Sequence, residues 1–327
     1  MTRHFKRTAF LALAILGLTL QPLAATQAAY PDRPVRMIVP FGPGGTTDLV
    51  ARVLAAKFSQ ELGQTIIIEN KGGAGGNIGV AAASTASPDG YTIVMGTTSN
   101  MAINATLYKK LPYDPVTSFV PIGNAASAPQ VLVVNKDLPV SSVAELIAYA
   151  KAPGRNPTFG SGGVGTPVHL AGEIFKTQAG LSSMVHVPYK GSAKAVADLI
   201  AGNITMIVES LPSALKYIKG GQLKALAHTG AGSISVLPGI PSMKEANVDL
   251  EVSGWFGMFA PAGVPADIAN KLTTALKATL ASPEVGEGLA KNGALPGDVF
   301  GADFGTFVAS EGKRWGDVVN SAKLKKR

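Results

Sequence analysis

Phe-Gly-x-Gly-Gly occurs twice in the chain, each time between a short apolar run and the start of a helix-like segment. The first copy is Phe41-Gly42-Pro43-Gly44-Gly45, after Met37-Ile38-Val39-Pro40 and before Thr46-Thr47-Asp48-Leu49. The second is Phe159-Gly160-Ser161-Gly162-Gly163, shortly before Thr166-Pro167-Val168-His169. A strand, a glycine turn and a helix start bring unpaired backbone N–H groups to one point, at the positive end of the helix dipole. Neither loop carries a basic side chain. The chemistry on offer is a neutral cradle for an anion, and two cradles half a chain apart predict two lobes holding one ligand between them.

Other chemistries match the residues less well. Gly160 to Gly165 fits G-x-G-x-x-G, but a dinucleotide site needs an acidic residue at the end of the next strand. That strand is Val185-His186-Val187-Pro188, followed by Tyr189-Lys190. Neither glycine loop ends in Gly-Lys-Ser/Thr, so there is no phosphate loop of the nucleotidase type, and G-x-S-x-G is absent. Ser161, His169 and Asp198 could be assembled into a triad, yet nothing in their spacing favours it. His169, His186 and His228 are not at i, i+3 or i, i+4, so a histidine-based metal site is not indicated. Neither a metal nor a cofactor is expected.

The elements that must position these loops alternate between strand-like and helix-like runs, the pattern of a parallel α/β sheet. Strands are expected at 35–40, 66–69, 91–96, 119–126 and 130–135, with Ala128-Pro129 as a crossing between lobes. A second α/β block follows, with strands at 157–160, 185–188, 205–208 and 224–228. Thr46–Leu62 reads as a helix from the recurrence of Leu49, Val50, Val53, Leu54 and Phe58. Further helices are expected at 167–179, 192–201 and 212–219, and Ser142-Val143-Ala144-Glu145 is a capping box for another. Residues 230–247 are irregular, and 253–260 read as a strand returning to the first lobe. Helices at 266–281, 283–291 and 302–322 close the chain. Two crossings between two lobes make a hinged clamshell with the ligand at the carboxyl ends of the strands.

Composition narrows the setting. Arg3, Lys6 and Arg7 followed by apolar Ala9 to Leu20 and small residues through Ala28 read as a cleaved signal peptide over 1–28. Cysteine is absent, which excludes disulfides, thiolate metal sites and a lipid-anchoring cysteine. The periplasm is the expected location. The formal charge of +8 is misleading: three of the 29 Lys and Arg lie in the leader and four in the tail Lys323–Arg327, leaving 22 against 21 acidic residues. Nucleic-acid binding is not expected.

Taken together, these motifs resemble the Bug (TctC-like) substrate-binding proteins of tripartite tricarboxylate transporters. The resemblance runs through Val39–Gly45 with Asp48 and Arg52, Glu69–Asn77, and Leu111-Pro112-Tyr113-Asp114. It continues in His186–Gly191, Trp255 with Gly257, Ala260–Pro265, and Glu311 with Trp315. It implies an α/β type II periplasmic-binding-protein fold, two lobes joined by two crossing segments, with a Venus-flytrap motion. Lobe 1 is expected over 29–126 plus 254–327 and lobe 2 over 127–253.

By the resemblance, Pro43, Gly44, Gly45 and Thr46 would hold one carboxylate of a small organic acid. Ser161, Gly162, Gly165 and Thr166 would hold the other, with His169 at the same helix start and Thr97, Thr98 and Ser99 reaching the cleft. Glu209, where the family commonly shows Asp, would shape the second-lobe wall. The implied protein is a monomeric, non-enzymatic periplasmic receptor for a carboxylate, above all a dicarboxylate, serving the membrane permease subunits of a tripartite tricarboxylate-type transporter. The alternatives are a periplasmic enzyme using Ser161, His169 or Glu209 on an anionic metabolite, and a ligand-binding sensor subunit.

Overall fold

The computed structural model describes residues 30–321; the expected leader and the basic tail lie outside them. From Pro31 onward the chain forms one unit around a mixed sheet. On one side, β2 (Ile66–Asn70), β1 (Val35–Val39) and β3 (Thr92–Thr97) run parallel. On the other, β7 (Met206–Ser210), β5 (Thr158–Ser161) and β6 (Val185–Pro188) do the same. Between them lie β4 (Phe119–Asn135) and β9 (Ser253–Pro261), which pair with each other and with these neighbours in antiparallel fashion, and β8 (Leu223–His228) also pairs antiparallel with β4. The sheet is thus mixed rather than wholly parallel, because the strands that pass between the halves must run against those that stay within one.

The expected break at Ala128-Pro129 is not a break. β4 is one 17-residue strand, pairing with β9 as far as Pro129↔Ser253 and with β7 from Gln130↔Ser210. Proline lacks the N–H a ladder needs, and here it stands where one partner hands over to another. The second crossing is fastened to the first at the same level. Thr229 donates its hydroxyl to Val252 O at 2.5 Å and accepts from Gln130 N at 2.8 Å, while its own N–H reaches Gln130 O at 2.9 Å.

α1 (Thr46–Leu62) forms over the expected residues. Val50, Leu54, Phe58 and Leu62, four apart, are its buried stripe, and Gly63 ends it at φ 81°, a left-handed C-cap that glycine takes without strain. α4 (Val143–Lys151) starts at Ser142, whose Oγ accepts from Glu145 N at 3.2 Å, although the Glu145 carboxylate turns to Ser141 instead of closing the box. α5 (Pro167–Gln178), α6 (Ser192–Ile200) and α7 (Leu211–Lys219) pack on the second half.

Two segments depart from expectation. Helix α2 (Asn77–Ser84) follows the glycine loop at 70–77, and a buried π turn (Ser99–Ile103) leads into the short α3 (Asn104–Leu107). α2 is hidden in the sequence by Gly79, a poor helix former. Its place is fixed by packing, since a Cβ there would lie 2.6 Å from Lys71 O.

The last described helices, α8 (Ala266–Ala281), α9 (Pro283–Lys291) and α10 (Gly301–Ser321), pack against α1, β4 and the π turn. Buried Glu311 on α10 accepts from Trp255 Nε1 at 3.0 Å and Trp315 Nε1 at 2.9 Å, which ties α10 to β9. No described helix is long and apolar enough to cross a membrane.

Because Thr229 serves three backbone groups where the two crossings meet, Thr229→Val leaves Gln130 N and Val252 O without that hydroxyl. The expected cost is about 1–3 kcal/mol, read as a lower urea midpoint at unchanged slope. An unchanged midpoint would mean that the hydroxyl does not hold the crossings together.

Candidate functional site

The strands β1, β3, β5, β6 and β7 all end at one cleft, as the carboxyl ends of parallel strands in open α/β sheets do. Both halves of the sheet line it. From the first half come Phe41, Gly45, Thr46, Thr47, Thr97, Thr98 and Ser99; from the second, Gly162, Thr166, Pro167, Val168, Ser192 and Ser210. Gln130, Gly254, Trp255 and Phe256, on the crossing strands, complete the wall.

Four helices begin at this wall: α1 at Gly45, α5 at Thr166, α6 at Gly191 and α7 at Ser210. Each presents N–H groups with no partner inside its own helix, and its dipole adds roughly half a positive charge at that end. None of the lining residues carries a charged side chain. Three buried lining side chains, through Thr46 Oγ1, Thr97 Oγ1 and Gln130 Oε1, have no hydrogen-bond partner among the described residues. A buried polar atom without a partner costs about 1–3 kcal/mol, so the arrangement suits a polar ligand that supplies the missing bonds.

Second-layer contacts set the shape of each loop. Asp48 accepts from Gly44 N at 2.9 Å, Arg52 Nε at 2.9 Å and Asn70 Nδ2 at 3.0 Å, and Asn70 Nδ2 also reaches Phe41 O at 3.1 Å. Burial alone would raise the Asp48 carboxyl; the hydrogen bonds and the Arg52 charge outweigh it and hold the group below the usual carboxylate range. In the second loop, Ser161 Oγ lies 2.7 Å from His186 Nε2 and pairs with Gly163 on both N and O, while Thr166 Oγ1 donates to Gly163 O at 2.8 Å. Thr166 also caps α5, accepting from His169 N at 3.2 Å. The two loops meet on Ser192: a Cβ on Gly45 would lie 4.0 Å from Ser192 Cβ, and one on Gly162 only 3.0 Å from Ser192 N.

Of the residues expected from sequence, Gly45, Thr46, Thr97, Thr98, Ser99, Gly162 and Thr166 line the cleft. Pro43 is exposed on the loop, and the Gly44 N–H is taken by Asp48. Ser161 is bonded behind the wall to His186. Gly165 gives its N–H to His169 Nδ1 at 3.4 Å and packs so closely that a Cβ would fall 2.1 Å from Asn104 Oδ1. Glu209 lies fully buried behind the lining serines. Tyr189, the neighbour of that wall, gives its hydroxyl to Asp198 at 2.6 Å, and burial followed by that contact pushes its pKa up to about 12.

Sequence reasoning missed Ser192, Ser210 and Gln130. The two serines open helices directly after β6 and β7, the same strand–turn–helix arrangement as the glycine loops without the glycine pair that flags them. Spacing also missed a cluster of histidines with a carboxylate: His169, Glu173 one turn later and His186 from β6 bring ligand-capable atoms within 4.8 Å of one another, and the two rings lie 4.2 Å apart. The Gly165 N–H at Nδ1 leaves the proton of a neutral His169 ring on Nε2, which faces Glu173 at 3.8 Å.

Two parallel half-sheets opening onto one shared cleft, joined by two crossing segments, define a two-lobed solute-binding protein of the type II periplasmic-binding architecture. Residues 50–324 match the family described as "Tripartite tricarboxylate transporter family receptor", and the chain belongs to that family of solute-binding proteins, which are not enzymes. Protein BugT of Bordetella pertussis is 36% identical over 321 residues, covering 96% of this chain and 98% of BugT. Among solved structures, the periplasmic binding protein BugD is 34% identical with a TM-score of 0.87, covering 91% of this chain and 100% of BugD. Rpa4515 of R. palustris, solved with adipate, is 37% identical with a TM-score of 0.87, covering 90% and 99%. MatC of Rhodopseudomonas palustris, solved with malate, is 30% identical with a TM-score of 0.84, covering 89% and 100%.

Because the Asp48 carboxyl titrates below its ordinary value, its contribution is present at neutral pH and lost as pH falls through that lowered value. Asp48→Ala is expected to cost about 1–3 kcal/mol at neutral pH. Urea midpoints of the variant and wild type should converge in acid. A gap that stays constant with pH would mean that the ionised carboxylate is not what holds the loop.

Proposed function

We propose that the chain is a periplasmic receptor that closes over a small carboxylate, most suitably a dicarboxylate, and hands it to the permease subunits of a tripartite tricarboxylate-type transporter. The observation that carries this reading is the cleft itself, where four helix starts and unpartnered hydroxyls converge without a charged side chain. Such a wall stabilises an anion through dipoles and amides at modest desolvation cost, whereas a buried arginine would first have to lose its own hydration. Relatives solved with adipate and with malate support a carboxylate in particular. A ligand that touches both halves binds the closed form better than the open one, which is the thermodynamic requirement for a ligand-driven clamshell.

In this reading residues 1–28 are the export signal, 29–126 with 254–327 make one lobe and 127–253 the other, and the receptor works as a monomer. Gly45, Thr46, Thr97, Thr98 and Ser99 face the ligand from the first lobe. Gly162 and Thr166 do so from the second, joined by Ser192, Ser210 and Gln130. Pro43, Gly44, Ser161, Gly165 and His169 hold the loops in place.

A thermal-shift screen of the mature protein against mono-, di- and tricarboxylates, amino acids and neutral analogues tests the reading. Ligand at about 100 times its dissociation constant should add about 2.7 kcal/mol of stability. The expected result is a shift confined to one carboxylate class; a response to neutral compounds alone would refute it. A methyl at Gly162 would press on Ser192, its neighbour in the same wall of the cleft. Gly162→Ala should therefore weaken the binding found in the screen by roughly tenfold, the equivalent of about 1.4 kcal/mol for a displaced wall.

A further inference from the structure

Glu209 is a buried carboxylate behind the cleft wall that the binding scheme above does not use. It is the penultimate residue of β7, opposite Val131 of β4, and is wholly shielded from solvent. Its Oε1 accepts from Ser210 N at 2.9 Å and from Ser213 Oγ at 2.6 Å. Its Oε2 completes no hydrogen bond among the described residues, although the Ser192 side chain is near enough to stabilise a charge on the group. Ser192 and Ser210 both line the cleft. The carboxyl is therefore separated from a bound ligand by a single layer of hydroxyls.

An ionised carboxylate in that position has little to support it. Its stabilising contacts are the Ser213 and Ser192 hydroxyls and the Ser210 amide, and desolvation outweighs them, raising the pKa. The groups that shift it include no charged partner, although the elements around it carry His169, Glu173 and Lys176 (α5), His186 (β6), Lys194 and Asp198 (α6), Lys216, Tyr217 and Lys219 (α7) and His228 across β4; β4 and β5 carry no titratable residue. An anionic ligand one layer away would oppose ionisation further.

We propose that Glu209 is carried as a neutral carboxylic acid and fixes the direction of the Ser192 hydroxyl, making it the residue that matches the second lobe to a fully ionised carboxylate. With the proton on Oε2, Glu209 donates to Ser192 Oγ, and the Ser192 hydrogen is free to point into the cleft as a donor. With Glu209 ionised, Ser192 would donate backward to Oε2 and present only lone pairs to the ligand, which repel a carboxylate. One proton behind the wall thus sets the polarity of a wall group. The ligand half of this proposal rests on the carboxylate-receptor reading; the protonation half does not.

The deciding measurement is the carbon-13 carboxyl spectrum of the mature protein labelled at glutamate, without ligand, with the Glu209 resonance identified by its loss in Glu209→Gln. A protonated resonance persisting at neutral pH is expected, and an ionised one overturns the proposal. Calorimetry with adipate and malate as probes reads the second half. Wild-type affinity should fall as pH rises through the Glu209 titration, Glu209→Gln should lose that dependence, and Ser192→Ala should bind roughly tenfold more weakly, the worth of one hydrogen bond to a charged group. Unchanged affinity in Ser192→Ala, or a pH dependence that survives in Glu209→Gln, overturns the orienting role. If neither acid binds, the receptor reading fails for them, while the resonance still decides whether Glu209 is neutral.

Discussion

Backbone N–H groups at the start of a helix have no partner within it, and this protein assembles four such starts around one cleft. Much of the surrounding architecture follows from that constraint. Donors of this kind can be aimed only if strands deliver each turn to the same place, which the two parallel half-sheets do at their carboxyl ends. They can approach one another only where side chains are small, hence the glycines and serines at the contact between loops. Some are deliberately taken out of play: Gly44 by Asp48, the His169 amide by Thr166 and Ser210 by Glu209.

The same economy explains why no cation lines the wall. A lysine or arginine would add attraction but would have to be stripped of water, and a single long side chain is less well fixed than a helix end. A receptor must release what it captures. Fixed dipoles and hydroxyls hold an anion without a large reorganisation on either side of the cycle. The mechanical part is separate from the recognition part: β4 runs unbroken from one half to the other, Thr229 fastens the second crossing to it, and Glu311 anchors β9, which carries Trp255, to α10.

The alternation of elements and both glycine loops were legible in the sequence because each rests on local rules: strand runs, helix periodicity and turn chemistry. α1 emerged residue for residue for that reason. What was not legible depends on contacts far apart in the chain. α2 and the π turn are held by packing against β1 and β3 rather than by propensity. The continuity of β4 through Pro129 follows from an exchange of partners, which no local signal announces. Ser161 and His169 are not among the residues lining the cleft, and Ser161 meets His186, 25 residues away, a contact that no local signal announces. Ser192 and Ser210 lie in the wall because β6 and β7 end beside β5, a fact of sheet order.

A neutral, amide-rich wall should recognise its ligand by negative charge. Calorimetry comparing a set of dicarboxylates with their uncharged diamides of the same length tests it directly. At least one acid should bind, and its diamide should bind about 100-fold more weakly or worse, the loss of roughly two charge-assisted hydrogen bonds. Equal affinity for acid and diamide, or binding of diamides alone, would contradict it.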